Sequence, residues 1–198
     1  GIVEDAFRDC KELTSINLTT SILRIRQWAF SGTGIVSASL PNTIDALPDN
    51  IFNNCIDLES VTLPNTITEI GESVFLGCKK LKTIELPESL IKISNGAFEQ
   101  TGLTNILIPE TVEEIGYTAF RDCWSLTTVT MYNNVTSIGA LAFQRCYKLT
   151  DINLSTSLTT IIGSTFSQCF ALESIVIPES ITEINIKQMQ ISLKNDAY

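Results

Sequence analysis

Apolar and polar residues follow a pattern that recurs every 22 or 23 residues along the whole chain. One copy has apolar residues at Leu58, Val61 and Leu63 and then a second apolar pair at Ile67 and Ile70. The alternation at 61–63 is typical of a strand with one buried face, and the second pair predicts another short extended segment. A fixed period of this length indicates a solenoid, in which each copy covers the apolar face of its neighbour.

A phenylalanine marks the second half of each copy. If Leu58 is position 1 of its copy, Phe75 is position 18 and Cys78 is position 21. We expect positions 15 to 23, such as 72–80, to form one or two helical turns that place Phe75 in the core. The equivalent residues are Phe7, Phe30, Phe52, Phe75, Phe98, Phe120, Phe143 and Phe166.

The register predicts one solenoid domain over 1–198. Residues 1–12 are the second half of a copy, residues 13–171 are seven full copies, and residues 172–198 are a degenerate last copy. In that last copy Met189 replaces the phenylalanine, and polar residues such as Lys187 predict a terminal cap. Residues 1–12 lack such polar cover, so we expect the array to extend further. The full copies and the last one begin at Leu13, Ile35, Leu58, Leu81, Leu103, Leu126, Leu149 and Leu172.

Glycine occupies position 14 in three copies, as Gly71, Gly116 and Gly139. Positive φ would be the usual reason for such a glycine. Pro48 stands at the same position in another copy, and proline cannot adopt positive φ. We therefore expect ordinary φ at position 14, with glycine as a preference.

The six cysteines all occupy position 21, so each is equivalent to the next. Stacked side chains at equivalent positions run parallel, and their Cβ–Sγ bonds do not converge on one point. We therefore expect buried free thiols in preference to disulfides or a zinc site. Thiol counting decides between these alternatives. The residues are Cys10, Cys55, Cys78, Cys123, Cys146 and Cys169.

Charge and composition exclude several classes of function. The net charge of −9, with no cluster of Lys and Arg, argues against nucleic acid and anionic membranes as partners. No apolar run approaches the roughly 20 residues of a spanning helix, so we expect no direct membrane insertion. The chain has no His, its acidic pairs such as Glu113–Glu114 lie on predicted solvated turns, and no phosphate-binding glycine loop is present. We predict a non-enzymatic protein without cofactor or metal.

The complete pattern, Leu-x-x-Ile-x-Leu-Pro-x-x-(Ile/Val)-x-x-Ile-Gly-x-x-(Ala/Val)-Phe-x-x-Cys-x-x-Leu, resembles the BspA-like leucine-rich repeat family, most closely at 61–81 and 106–126. The resemblance implies an α/β-type right-handed superhelix with a parallel β-sheet on its concave face. It also implies short extended segments and helical turns on the convex side. Members are surface-exposed or secreted proteins of bacteria and parasitic protists, so a host extracellular-matrix or cell-surface protein is the implied partner. No functional residue follows from the motif.

Two surfaces are candidates for partner binding. The concave face consists of position 5, flanked by Ser, Thr, Asn or Asp at position 3; its position-5 residues are Asn17, Ser39, Thr62, Glu85, Leu107, Thr130, Asn153 and Val176. The aromatic edge consists of Trp124, Tyr147 and Phe170, which follow the cysteine in three consecutive copies. Each surface also has a plainer explanation. The composition of the concave face could simply reflect that Thr suits strands. The aromatic rings could pack over the convex edge or against a neighbouring domain. Adhesion, a rigid spacer and an intracellular scaffold are the alternative functions.

Overall fold

The computed structural model describes residues 1–184, which form a parallel-strand β-solenoid. The register between successive turns is 22 or 23 residues: Ala38 pairs with Val61, and Ile70 pairs with Ile93. This spacing confirms the solenoid predicted from the repeat. Most of the predicted cap, residues 185–198, lies outside the described residues.

The first strand of each turn carries the alternating positions 3 to 6. β1 (Ser37–Ser39) pairs with β3 (Ser60–Thr62). β6 (Asn105–Ile108), β8 (Thr128–Met131) and β10 (Asp151–Ile152) form a three-stranded parallel sheet. Within these strands position 4 is buried and position 5 is exposed wherever both lie in the strand, as the alternation predicts.

The predicted sheet of first strands is interrupted in the middle of the chain. Residues 83–86, which should form the strand between β3 and β6, pair with neither. Their copy, 81–102, is one residue shorter than its neighbours, and a Cβ on Gly102 would lie 2.2 Å from the Lys79 carbonyl oxygen. We attribute the interruption to this shortened, tightly packed turn.

The second extended segment of each turn forms a more continuous sheet. Five two-residue strands pair in parallel order, and a separate pair follows at the C-terminal end. This arrangement confirms the extended segment predicted from the second apolar pair. The five are β2 (Ala46–Leu47), β4 (Glu69–Ile70), β5 (Lys92–Ile93), β7 (Glu114–Ile115) and β9 (Ser137–Ile138), and the pair is β11 (Thr160–Ile161) and β12 (Glu183–Ile184).

The predicted helical turns at positions 15 to 23 are wrong, because residues 1–184 contain no helix. Positions 16 and 20 of every turn have positive φ, for example 51° at Thr118 and 57° at Asp122. A left-handed residue every four positions interrupts right-handed helical geometry. This part of the copy is therefore a series of tight turns.

Hydrogen bonds between copies hold these turns in place. The N–H groups of Ser73, Phe75 and Gly77 donate to carbonyls of the following copy, and the same three positions do so at each of the seven interfaces between copies. The phenylalanine rings stack between them with centroids 5.2–5.9 Å apart. Phe30 to Phe143 are fully buried, so the ring stack forms the centre of the core.

Glycine at position 14 is required by close packing. Gly71, Gly116 and Gly139 have no positive φ, as predicted. However, a Cβ on Gly71 would lie 2.5 Å from the Leu47 carbonyl oxygen, and one on Gly139 would lie 2.4 Å from the Tyr117 nitrogen. In these copies close packing therefore requires glycine, whereas the sequence indicated only a preference for it.

Candidate binding surfaces

All eight position-5 residues of the concave face are exposed. Ser39, Thr62, Leu107 and Thr130 lie in strands, whereas Asn17, Glu85, Asn153 and Val176 do not. Leu107 is 51% exposed and is the one large apolar side chain among the strand members. Whether this face binds a partner stays a prediction.

Asn153 differs from the other members of the concave face because its side chain is already engaged. Its carboxamide accepts a hydrogen bond from the Met131 N–H, with N and O 3.1 Å apart, and donates one to the Met131 carbonyl. The amide thus extends the β8–β10 pairing by one residue after β10 ends. This bond makes Asn153 a structural residue, with less freedom to meet a partner than Thr130 beside it.

The aromatic edge has two parts. Trp124 is 52% exposed, Tyr147 38% and Phe170 71%. The rings of Tyr147 and Phe170 are stacked, with centroids 5.5 Å apart and planes 5° apart. Trp124 lies outside this stack, and its indole Nε1–H donates to Asp122 Oδ1 at 3.2 Å. The three residues of the aromatic edge therefore form a stacked pair plus one separately anchored indole.

A partly buried charge network anchors Trp124. The Asp122 carboxylate lies 3.5 Å from Arg121 Nε and 3.7 Å from Arg145 Nη1, and Arg121 also lies 3.8 Å from Glu99. Burial raises the pKa of Glu99, and its hydrogen bond from Thr118 and the neighbouring Arg121 offset part of this effect. This network was not predictable from the sequence, because positions 19 and 20 show no constant residue type.

The aromatic edge and the three-stranded sheet belong to the same C-terminal copies. Trp124 lies four positions before the first residue of β8, and Tyr147 lies four positions before the first residue of β10. The two short copies, 13–34 and 81–102, have no residue equivalent to these, so the edge is uninterrupted only beyond residue 102. The aromatic edge and the three-stranded sheet therefore both lie within 103–176.

Two grooves open where the sheets are interrupted. The smaller, of about 470 Å³, is lined by Glu59, Lys80 and Lys82 at the interruption between β3 and β6. The larger, of about 700 Å³, lies beside Pro48. In five other copies the N–H at position 14 donates to the preceding copy, as Gly71 does to Leu47, but Pro48 has no N–H to donate. The lining of the larger groove contains both guanidinium groups and carboxylates.

Five of the six cysteines are buried, and Cys10 is exposed. Burial raises the pKa of the Cys78 and Cys146 thiols well above the ordinary value and that of Cys123 to about 12. Raised pKa values make thiolates scarce, so the buried sulfurs are poor nucleophiles and metal ligands. Among residues 1–184 no cluster of three acidic or cysteine side chains is placed to hold a metal, and no helix of membrane-spanning length occurs.

The model of the BspA type leucine rich repeat region matches residues 1–101 and 91–191 in six copies. The chain belongs to the BspA-type leucine-rich repeat family. This family is generally non-enzymatic, and leucine-rich repeat domains generally bind proteins. No curated protein matches the chain.

Solved structures of bacterial leucine-rich repeat proteins share the fold. A leucine-rich repeat protein from Bacteroides ovatus is 33% identical, with a TM-score of 0.73 over 76% of this chain and 39% of its own. The T. pallidum leucine-rich repeat protein is 29% identical, with a TM-score of 0.73 over 85% of this chain and 81% of its own. One from Eubacterium ventriosum, at 22% identity and a TM-score of 0.55, covers 80% of this chain and 60% of its own and supports the fold alone. The chain thus spans about two fifths of the length of the Bacteroides relative.

Proposed function

We propose that this chain is a non-enzymatic protein-binding module of a cell-surface or secreted protein, and that it acts in adhesion. The observation that carries the proposal is the exposure of Trp124, Tyr147 and Phe170 in the C-terminal copies that also carry the three-stranded sheet. Exposed aromatic side chains grouped on one surface are typical of protein interfaces. Family membership supports the extracellular location.

A binding screen against host extracellular-matrix proteins tests the proposal. The wild-type chain is compared with the triple variant W124S/Y147S/F170S, and circular dichroism verifies that both are folded. Binding that the variant loses would support the aromatic edge as the site. Binding that the variant keeps would place the site on the concave face, and the variants T62E and T130E would then identify which half is used.

A rigid spacer is the second candidate, favoured by the uninterrupted stack of eight phenylalanine rings from Phe7 to Phe166. Such a continuous core resists bending, because each copy is packed and hydrogen-bonded to the next. Absence of binding to every protein in the screen would favour the spacer over the binding module.

A further inference from the structure

We propose that residues 83–86 are a strap in the concave face, which closes by pairing with β3 and β6 and opens by releasing both. The structure shows the open state, because residues 83–86 pair with neither neighbour. Closing would join the first strands on either side of the strap into one parallel sheet. The inference goes beyond the proposed function, since it concerns the scaffold itself and requires no partner.

The chain on both sides of the strap stays in register with its neighbours. Before the strap, the Lys82 carbonyl accepts a hydrogen bond from the Thr104 N–H, with N and O 3.0 Å apart. After it, the Ser89 hydroxyl donates to the Ile67 carbonyl at 2.7 Å, and β5 pairs with both adjacent copies. The displacement is therefore confined to residues 83–86, so closing needs no rearrangement of the rest of the solenoid.

The apolar side chains around the strap are incompletely buried. Ile84 and Leu86 on the strap, and Leu63 in the preceding copy, pack against the core but stay partly exposed. Their equivalents in the other copies between residues 35 and 171 are buried, for example Ile106 and Ile108 in the following copy. Closing would remove this remaining apolar surface from water, and this favours the paired state.

Main-chain groups that face the strap lack partners. The Leu40 N–H donates to the Thr62 carbonyl of the following copy, with N and O 3.1 Å apart. Leu63 is the equivalent residue of the next copy, and its N–H has no hydrogen-bond partner among the described residues. An extended strap would offer it the Glu85 carbonyl by the same register. Closing therefore adds hydrogen bonds that the sheet already makes elsewhere.

The interface before the strap lacks a side-chain bond that the following interfaces have. Position 2 is threonine in the three copies after the strap, and each hydroxyl donates to the position-2 carbonyl of the preceding copy. At position 2 of its own copy stands Lys82, which has no hydroxyl, and its N–H has no described partner. The smaller groove, which Lys82 and Glu59 line, lies here. The shortened turn disfavours closing, and no hydroxyl bond offsets that cost. The three bonds are Thr104 to Lys82, Thr127 to Thr104 and Thr150 to Thr127.

The state of the strap sets the extent of the concave face. Thr62 and Leu107 are the exposed position-5 residues of the copies on either side, and Glu85 is the position-5 residue of the strap. A partner that contacts Thr62 and Leu107 across one continuous sheet would bind the closed state better than the open one. Such a partner would shift the population towards the closed state by that difference in affinity.

Residue-resolved amide exchange measured by NMR tests for both states. In the wild type we expect the amides of 83–86 to exchange at least about a hundredfold faster than those of β6, because they are unpaired. The variant K82T/E85T supplies the position-2 hydroxyl and a residue that favours strands. It should slow exchange at 83–86 by about tenfold, and it should slow exchange of the Leu63 amide as well, because closing pairs the strap with β3.

Two control variants separate closing of the strap from other effects. K82A/E85T removes the same lysine without adding a hydroxyl, so it should protect 83–86 clearly less than K82T/E85T does. V36T places threonine at position 2 of a copy whose N–H already donates to the Thr14 carbonyl, so exchange at 83–86 should equal that of the wild type. Urea titration verifies that every variant is folded.

Each contrary result overturns a stated part of the inference. Wild-type amides at 83–86 that exchange as slowly as those of β6 would show that the strap is not open. A folded K82T/E85T chain in which 83–86 and Leu63 stay unprotected would show that the strap does not close on β3. Equal protection in K82A/E85T would overturn the role of the hydroxyl bond. No partner enters these measurements, so failure here leaves the proposed function standing, and failure of the binding screen leaves the strap standing.

Discussion

The Cys146 thiol donates a hydrogen bond to the main-chain carbonyl of Phe120 in the preceding copy, with Sγ and O 3.2 Å apart. The equivalent bond recurs for every buried cysteine. Each thiol is thus engaged with a phenylalanine carbonyl and contributes to the contact between copies. The other pairs are Cys55–Phe30, Cys78–Phe52, Cys123–Phe98 and Cys169–Phe143.

Thiol labelling should distinguish Cys10 from the other cysteines. In the native chain at neutral pH we expect one rapidly modified thiol, Cys10, because it is exposed and the other five are buried. In denaturant without reductant all six should react, since the prediction is that none is oxidised. Mass spectrometry after iodoacetamide treatment counts them. Two or fewer modified thiols after denaturation would mean that disulfides are present.

Alkaline pH should destabilise the chain through its buried thiols. Burial raises the pKa of both Cys123 and Cys169 from the ordinary 9.0 to about 12. The folded state then holds protons that the unfolded state has lost. The stabilisation is complete below pH 9 and falls between pH 9 and 12, by up to about 1.4 kcal/mol per pH unit for each thiol. Urea unfolding of the wild type and of C123A/C169A at several pH values measures this slope, which should be shallower in the variant.

Replacing Asn153 by Asp should destabilise the three-stranded sheet. A carboxylate can accept from the Met131 N–H but cannot donate to the Met131 carbonyl, so one hydrogen bond becomes a repulsion. We expect a loss of about 1–3 kcal/mol in the free energy of unfolding. Asn17, an exposed residue at the same position of another copy, provides the control N17D. Equal effects of N153D and N17D would contradict the assigned bond.

Alanine at Gly116 should be unfavourable although the φ of Gly116 is ordinary. Glycine-to-alanine changes at ordinary φ usually stabilise by about 0.4–1 kcal/mol. Here the new Cβ would lie 2.7 Å from the Asn95 nitrogen, so we expect G116A to cost about 1–3 kcal/mol. The variant S94A, at the same position of the preceding copy, removes one hydrogen bond without adding an atom. A G116A chain more stable than wild type would show that neighbouring copies can move apart at little cost in free energy.

Truncation of a central phenylalanine should be among the most damaging single changes. Phe75 is fully buried and stacks on Phe52 and Phe98, so F75A leaves a cavity in the ring stack. We expect a cost of roughly 3–5 kcal/mol in urea denaturation. Phe7 is 37% exposed and stacks on one described ring, so F7A should cost clearly less.

The apolar positions that repeat were predictable, whereas the left-handed turns, which also repeat, and the contacts that involve one pair of neighbours were not. The spacing of Val61, Leu63 and Phe75 located the strands and the core, because burial recurs at equivalent positions. The left-handed turns could not be located from the sequence in this way. Positive φ usually requires glycine, yet Thr118 and Leu141 adopt it, since hydrogen bonds to the next copy hold them there.

The candidate site was predictable only in outline. The sequence located the aromatic residues, because Trp124, Tyr147 and Phe170 occupy one position. No pattern indicated that Asp122 would anchor the indole or that Asn153 would bond to Met131, because each contact occurs once among residues 1–184. The missing strand at 83–86 was equally hidden, since its residues follow the same alternation as their neighbours.

The hydrogen bonds between the phenylalanine turns also have an electrostatic consequence. At the seven interfaces where both turns are described, the N–H groups at positions 16, 18 and 20 donate to the following copy and not to the preceding one. Peptide dipoles largely cancel in an ordinary sheet, but aligned ones add, as they do in an α-helix. This side of the solenoid is therefore polarised along its length, with partial positive charge toward the C-terminal copies. The aromatic edge lies toward that end.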